Sequence, residues 1–505
     1  MHYISTRGMG TGITVSAGQA IIQGLANDGG LYVPEVIPSI GKPLSVWIDM
    51  DYKQLANTIL SEYLTDFSED DLRDCIDKAY SGGFDDPLIA PLREFAGVHF
   101  LELFHGRTLA FKDMALSILP SLLRVSLKNC NENNESKKTI VLTATSGDTG
   151  KAALDAFAGA EGVSIVVFYP VDGVSAMQKK QMVTQEGDNV FVFGVNGNFD
   201  EAQNGVKRIF SNSELKRRMD EAGLRFSSAN SINIGRLLPQ IVYYFYAYKQ
   251  MAQQKAVSVG EPVNFVVPTG NFGNILAGYY AKQMGLPIGR LICASNVNNV
   301  LYEFFTTGVY NRMREFHTTI SPSMDILISS NFERLLYHMD ASSNRINELM
   351  EALAANGRFQ LPVADFMRDF YGVYASEEQT RAAIAAVAES GYVIDPHTAV
   401  AYHAGQCYIH DTGDATPQVI LATASPYKFA RDVLPVILDT PSKGKGEQID
   451  ANADDFDILR RLESCSGVPI PEALRLLETK KARHTIVCDA RDMQTIIEEA
   501  VIFPA

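Results

Sequence analysis

From Thr139 onward the chain repeats one pattern: a short run rich in β-branched residues, a loop of glycine and small polar residues, then a stretch with helical spacing. TIVLTATSGDTG leads into KAALDAFAGA, VSIVVFYP into VSAMQKKQMVTQEG, and NVFVFGVNGNF into DEAQNGVKRIFSN. A second series opens with VNFVVPTGNFG before NILAGYYAKQMG, continues with LICASN and returns in QVILATASP. Neighbouring parallel strands need a crossover, and a helix supplies it, so this alternation predicts parallel sheets covered by helices. Two such series predict an α/β fold of two open, mostly parallel, doubly wound sheets. Loops from both would meet at a shared cleft, where such folds bind ligands.

Residues 1–95 lack the alternation. There a turn-rich NDGGLYVPE precedes apolar residues at helical spacing in DYKQLANTILSEYL and DDLRDCIDKAY, so a mostly helical N-terminal domain is expected. The rest divides by expectation into 96–138, a segment of a large α/β domain; 139–224, a small α/β domain; and 225–505, the remainder of the large domain with a helical C-terminal tail. NCNENNESKK, 129–138, reads as a solvated loop and TPSKGKGEQ, 440–448, as a surface linker. A chain of 505 residues exceeds what one hydrophobic core usually serves, which suits this division.

Charge and cysteine usage narrow the function. A formal net charge of -15 opposes non-specific binding to nucleic acid or to anionic lipid, so any bound anion must be held by local groups. The six cysteines are scattered with no CxxC pair, which suits reduced thiols in a cytoplasm and no metal centre. No run of 18 apolar residues occurs and the N-terminus has no apolar signal core, so neither membrane spanning nor export is expected.

Four segments can carry chemistry. PTGNFGN, Pro268 to Asn274, lies between a predicted buried strand and a helix, where small residues let backbone N–H groups converge beside a helix N-terminus. It reads equally as a phosphate cradle or as a tight turn that needs glycine. TATSGDTG, Thr143 to Gly150, has the same setting and offers donors to a carboxylate, or caps a helix. It is not a P-loop, because Ala152 stands where that motif needs Ser or Thr. SSANSINIGRL places Asn230, Ser231 and Arg236 close together, either as turn and surface residues or, with a planar guanidinium, as a site for phosphate. Lys112, in LAFKDMAL, reads either as a solvated lysine on a helix face or, since its apolar neighbours would desolvate its amine, as a more nucleophilic group, with Asp113 as a helix-start acid or a cation's partner. His397 in DPHTAV is open between a packed and a catalytic histidine. A lysine, a phosphate cradle and a carboxylate loop together suit an enzyme that carries pyridoxal phosphate as a Schiff base and presents it to an amino acid.

The same segments, with YISTRG, DGGLYVPE, GNFDEAQ and LATASPYKF, make the chain similar almost end to end to the threonine synthase family, in its longer bacterial and fungal branch. That family consists of pyridoxal-phosphate enzymes of the tryptophan-synthase-β fold type. The resemblance implies Lys112 as the lysine that binds the cofactor, Gly270, Asn271, Phe272, Gly273 and Asn274 around the cofactor phosphate, and Thr423 at the pyridine nitrogen. It implies Ser146, Gly147, Asp148 and Thr149 around the substrate carboxylate, and Asn230, Ser231 and Arg236 at the substrate phosphate. The implied reaction is a carbon–oxygen lyase reaction, O-phospho-L-homoserine and water giving L-threonine and phosphate, in a monomer or homodimer. The alternative is a related phospho-lyase that releases a 2-keto acid. Two positions depart from the family pattern: Arg107 replaces an expected proline and Ser425 an expected histidine.

Overall fold

The structure, a computed structural model, describes every residue except 9–12, 96, 131–136, 146, 341, 442–448, 451–452 and 504–505. Most of the expected loop at 129–138 and of the expected linker at 440–448 lies outside the described residues. Helix Leu119–Cys130 takes the first two residues of that loop, and strand Lys138–Ala144 takes its last.

Two sheets organise the chain. The larger has six strands in the order Phe370–Tyr374, Ile288–Ser295, Val263–Pro268, Gln418–Ala422, Val98–Glu102, Leu92–Phe95. All neighbours are parallel except the last two, which form an antiparallel hairpin. The smaller has five parallel strands in the order Val487–Asp489, Val190–Asn196, Val163–Pro170, Lys138–Ala144, Leu224–Ser227. The central strands carry near-continuous apolar runs because both faces are covered, as in VVFY and NFVV.

The C-terminal segment departs from the expected helical tail of the large domain. Its strand Val487–Asp489 pairs with Gly194–Asn196 at the edge of the small sheet, and Met493 packs in the core below. The segment therefore contributes to the unit that residues 138–227 begin. Likewise Leu92–Phe95, assigned by expectation to the N-terminal domain, is the edge strand of the large sheet.

Helix Ile234–Gln253 runs through the middle of the molecule and is buried along almost its whole length, with Tyr243, Tyr244 and Tyr248 fully enclosed. A helix that is apolar on every side must be covered on every side. The N-terminal helices supply part of that cover. Asp51 caps helix Tyr52–Tyr63 in a reciprocal bond pair with Gln54, and Ser68 caps Glu69–Tyr80. Tyr52 then meets Tyr80 and Tyr246 edge-on at 5.1 and 5.2 Å, while Trp47 meets Phe245 edge-on at 5.2 Å. Trp47 is fully buried. Trp47→Ala is expected to lower unfolding stability by about 3–5 kcal/mol, read from urea unfolding followed by circular dichroism.

The buried helix also sets a site. Asn233 caps it, accepting from Gly235 N at 2.9 Å and donating to Ile21 O and Ser228 O at 3.0 Å each. That fixes Arg236 in the first helical turn.

Candidate active site

Lys112 immediately precedes the short helix Asp113–Leu116. The chain before it is held against the segment that follows the strand Gln418–Ala422. Phe111 N donates to Thr423 O at 2.8 Å and Ser425 N donates to Leu109 O at 3.0 Å, with Ala110 and Ala424 as an antiparallel bridge. Leu109 takes φ +62° here, a left-handed conformation that costs a non-glycine residue roughly 1 kcal/mol and holds only where surroundings impose it. Lys112 and Thr423 are thus neighbours. Asp113 accepts from Thr108 N at 2.8 Å and Thr108 Oγ1 at 2.6 Å. Burial pushes its carboxyl up to about 6, against the pull of these bonds.

The Lys112 amine points into a buried cluster. Its Nζ donates to Ser323 Oγ at 3.2 Å and lies 3.7 Å from Asp148 Oδ2. The other oxygen of Asp148 lies 2.6 Å from Lys428 Nζ and accepts from Gln178 Nε2 at 3.0 Å. Ser323 Oγ also reaches Asp148 Oδ2, at 3.4 Å. Burial lowers the Lys112 ammonium to about 8; Asp148 raises it, and the positive charges of Lys428 and Arg236 lower it further. Burial alone would raise the Asp148 carboxyl, but Lys428 and Lys112 hold it far below the usual carboxylate range. Asp148 therefore serves as counter-ion to two lysines. Of the expected carboxylate loop, Asp148 is thus engaged with lysines, and Ser146 lies outside the described residues.

Glycine is required in this loop. Gly147 takes φ +131°, and a Cβ there would lie 2.4 Å from the Gln178 amide carbon. Thr145 Oγ1 accepts from Gly147 N at 2.9 Å and Gly150 N at 2.8 Å, closing the turn into helix Asp148–Phe157.

The Gly270–Asn274 loop comes up beside the same cluster. A Cβ on Gly270 would lie 2.5 Å from the Ser323 carbonyl oxygen, so only glycine lets the two backbones approach. Phe272 takes φ +61° and offers no capping side chain to helix Gly273–Gln283, whose first N–H groups point into the loop. Asn271 O accepts from Asn331 N at 3.1 Å and Asn331 Nδ2 at 2.9 Å, and Asn271 Oδ1 accepts from Ser330 Oγ at 3.2 Å. Ser330 in turn lies 3.4 Å from Ser231 Oγ, which joins this loop to the third predicted segment.

Two buried donors there have no partner. Asn274 Oδ1 accepts from the Tyr243 hydroxyl at 2.6 Å and from that of Tyr244 at 2.9 Å, while its Nδ2 is buried and unbonded. Arg236 is buried, gives Nη1 to Ala229 O at 2.9 Å, and keeps its Nε unbonded. Among the described residues no carboxylate pairs with it, and burial lowers it to about 10. Burying a cation or donor without a partner is costly. Asn230 is held by Thr143 Oγ1, which donates to its Oδ1 at 2.7 Å. Lys112 and Lys428 thus share the buried acid Asp148, and the buried Arg236 guanidinium is near enough to lower the Lys112 ammonium. The site is locally positive inside a negative protein.

Three members went unassigned in the sequence. Lys428 in SPYKF carries the same signal as Lys112, a lysine between apolar neighbours at the end of a strand–loop unit. Gln178 and Ser323 carry none, because their roles arise from tertiary contact. His397 is a packed residue: Ser323 N donates to its Nε2 at 3.1 Å, so its Nδ1–H faces Asp395 Oδ1 at 2.6 Å, and the pair fixes the Pro322–Met324 turn. The two departures leave the cluster intact. Arg107 is largely exposed, 3.7 Å from Asp155, and Ser425 accepts from Tyr427 N at 3.4 Å, capping the turn Pro426–Phe429 that carries Lys428.

Comparison with known proteins bears on the family. Residues 2–80 match the family described as threonine synthase N terminus, and residues 89–425 match that described as pyridoxal-phosphate dependent enzyme. The chain is 39% identical to the threonine synthase of Saccharomyces cerevisiae over 447 residues, which cover 83% of this chain and 85% of that one. The crystal structure of threonine synthase from yeast superposes with a TM-score of 0.86 at 36% identity, covering 99% of this chain and 98% of that one. The pyridoxal-phosphate-bound threonine synthase from Brucella melitensis superposes at 0.82 with 33% identity, covering 98% of each. A buried lysine held between a hydroxyl and a shared carboxylate, set in this fold along nearly the whole length of such relatives, leads to one conclusion: the chain belongs to the threonine synthase family of pyridoxal-phosphate-dependent enzymes.

Proposed function

We propose that this chain converts O-phospho-L-homoserine and water into L-threonine and phosphate, completing threonine synthesis. The observation that supports the reading is the buried Arg236, unbonded at Nε and near enough to lower the Lys112 ammonium, together with the unbonded Nδ2 of Asn274 in the Gly270–Asn274 loop. The cofactor and the substrate each bring a phosphate, and each needs such donors.

Bound in the cleft, pyridoxal phosphate supplies an electron sink that makes protons at the substrate Cα and Cβ removable. Everything else falls to the protein. Lys112 holds the cofactor between turnovers and, once released, takes and returns protons with an amine already lowered to about 8. The backbone of Gly270 to Gly273 and the free Nδ2 of Asn274 hold the cofactor phosphate, with the helix N-terminus at Gly273 adding a favourable dipole. Thr423, fixed beside Lys112, meets the pyridine nitrogen as a neutral hydroxyl. Arg236, Asn230 and Ser231 bind the substrate phosphate and stabilise it as it leaves. Gly147, Thr149 and Ser146 meet the substrate carboxylate through backbone and hydroxyl donors, while the Asp148 side chain keeps to the lysines.

The partner this requires is a small molecule. Among the described residues no helix is long and apolar enough to cross a membrane. Work in the cytoplasm belongs to the same proposal, in keeping with scattered cysteines that form no CxxC pair. The test is a simultaneous assay of phosphate and threonine from O-phospho-L-homoserine. Equimolar release of the two is expected. Phosphate with a 2-keto acid in place of threonine would assign the chain to the phospho-lyase alternative.

A further inference from the structure

Lys428 lies in the turn Pro426–Phe429, just past Thr423, and its side chain is completely buried. Its ammonium donates to Thr108 O at 2.8 Å and sits 2.6 Å from Asp148 Oδ1. The first contact ties it to the stretch that leads to Lys112; the second crosses to helix Asp148–Phe157 of the other α/β unit. Two lysines therefore compete for one carboxylate, at 2.6 Å and 3.7 Å. We propose that Lys428 is a positioning residue for the reaction: by claiming Asp148, it keeps that carboxylate from closing an ion pair on Lys112 and leaves the Lys112 amine free to react. This rests on the reading of Lys112 as the lysine that binds the cofactor.

The charged groups acting on Lys112 are Asp148, which favours its ammonium, and Lys428 and Arg236, which oppose it. Asp113 next along the chain is engaged with Thr108. A lysine left alone with Asp148 would be drawn into a close, charged pair, and a protonated amine neither attacks a carbonyl nor accepts a proton. Gln178 and Ser323 also hold Asp148, but neither carries the positive charge that offsets it. A structural ion pair alone would leave the proton on Lys112 unaffected, and that difference is measurable.

The test uses full-length protein stripped of cofactor and offered pyridoxal phosphate between about pH 6 and pH 10, with the visible band of lysine-bound cofactor as readout. Borohydride reduction and peptide mapping then identify the lysine. In Lys428→Met the midpoint for capture should move alkaline by about one pH unit or more, and Lys428→Arg should return it towards the wild type. If Lys428→Met does not fold, the double variant Lys428→Met, Asp148→Asn removes both charges, and its midpoint should lie at or below that of the wild type. An unshifted midpoint in a folded Lys428→Met protein, or an alkaline shift in the double variant, would overturn the inference. A wild type that forms no band on Lys112 would overturn the reading of that lysine and this inference with it.

Discussion

Lys112→Ala abolishes the visible band of bound cofactor and lowers turnover of O-phospho-L-homoserine by roughly four orders of magnitude or more, yet leaves a folded protein. The first part follows from position: among the described residues no other lysine combines burial, a long 3.7 Å contact to its counter-ion and a hydroxyl partner in Ser323. Lys428 cannot substitute, because its ammonium is committed to Asp148 Oδ1 and to the Thr108 carbonyl. The second part follows from the charge arrangement. Removing Lys112 takes one desolvated cation from a cluster that holds three, and Asp148 keeps Lys428, Gln178 and Ser323 as partners. Unfolding stability of the cofactor-free variant should stay within about 1 kcal/mol of the wild type, as urea unfolding would show. A variant that unfolds together with loss of the band would place Lys112 in the core's support instead. In the wild type, cofactor capture should speed up as pH rises through about 8, where the Lys112 ammonium gives up its proton.

The division between what could be read in the sequence and what needed the structure follows from how each feature is encoded. The parallel sheets were legible because each strand, loop and helix unit repeats within a few tens of residues, and the loops TATSGDTG and PTGNFGN mark where strands end. The hairpin of Leu92–Phe95 with Val98–Glu102 escaped, since LREFAGVHFLE lacks strict alternation and its strands take part in a sheet assembled from distant segments. Val487–Asp489 escaped for a plainer reason: three residues give no periodicity, and the strand exists only because Gly194–Asn196 offers an edge. The site divides the same way. Lys112, the Gly270–Asn274 loop and Arg236 stood out because local sequence carries their signal, an apolar setting for a charge or a run of glycines. The direction of the Asp148 side chain did not. Read along the chain it is one of several polar residues in a capping loop, and only the burial of Lys428 against it shows that it is a counter-ion.

Arg236→Met separates function from stability in opposite directions. The guanidinium is buried, has its Nε unbonded and pairs with no carboxylate among the described residues, so without a bound anion it is a net liability. Replacing it with an apolar side chain of similar length should raise the stability of the ligand-free protein by about 1–3 kcal/mol. The same change removes the cation that meets the substrate phosphate, and kcat/KM for O-phospho-L-homoserine should fall on the order of a thousandfold, since a desolvated charge pair is typically worth several kcal/mol. Arg236→Lys should recover little of this, because a single ammonium cannot reproduce the planar fork and lies one bond shorter on the helix. Arg236 also helps to drive the proton from Lys112, so Arg236→Met should move the pH midpoint of cofactor capture to the alkaline side while cofactor affinity above that midpoint changes little. Thermal unfolding, steady-state kinetics and the capture titration on one pair of variants check all three. A variant that is less stable and equally active would mean that Arg236 is there for the fold.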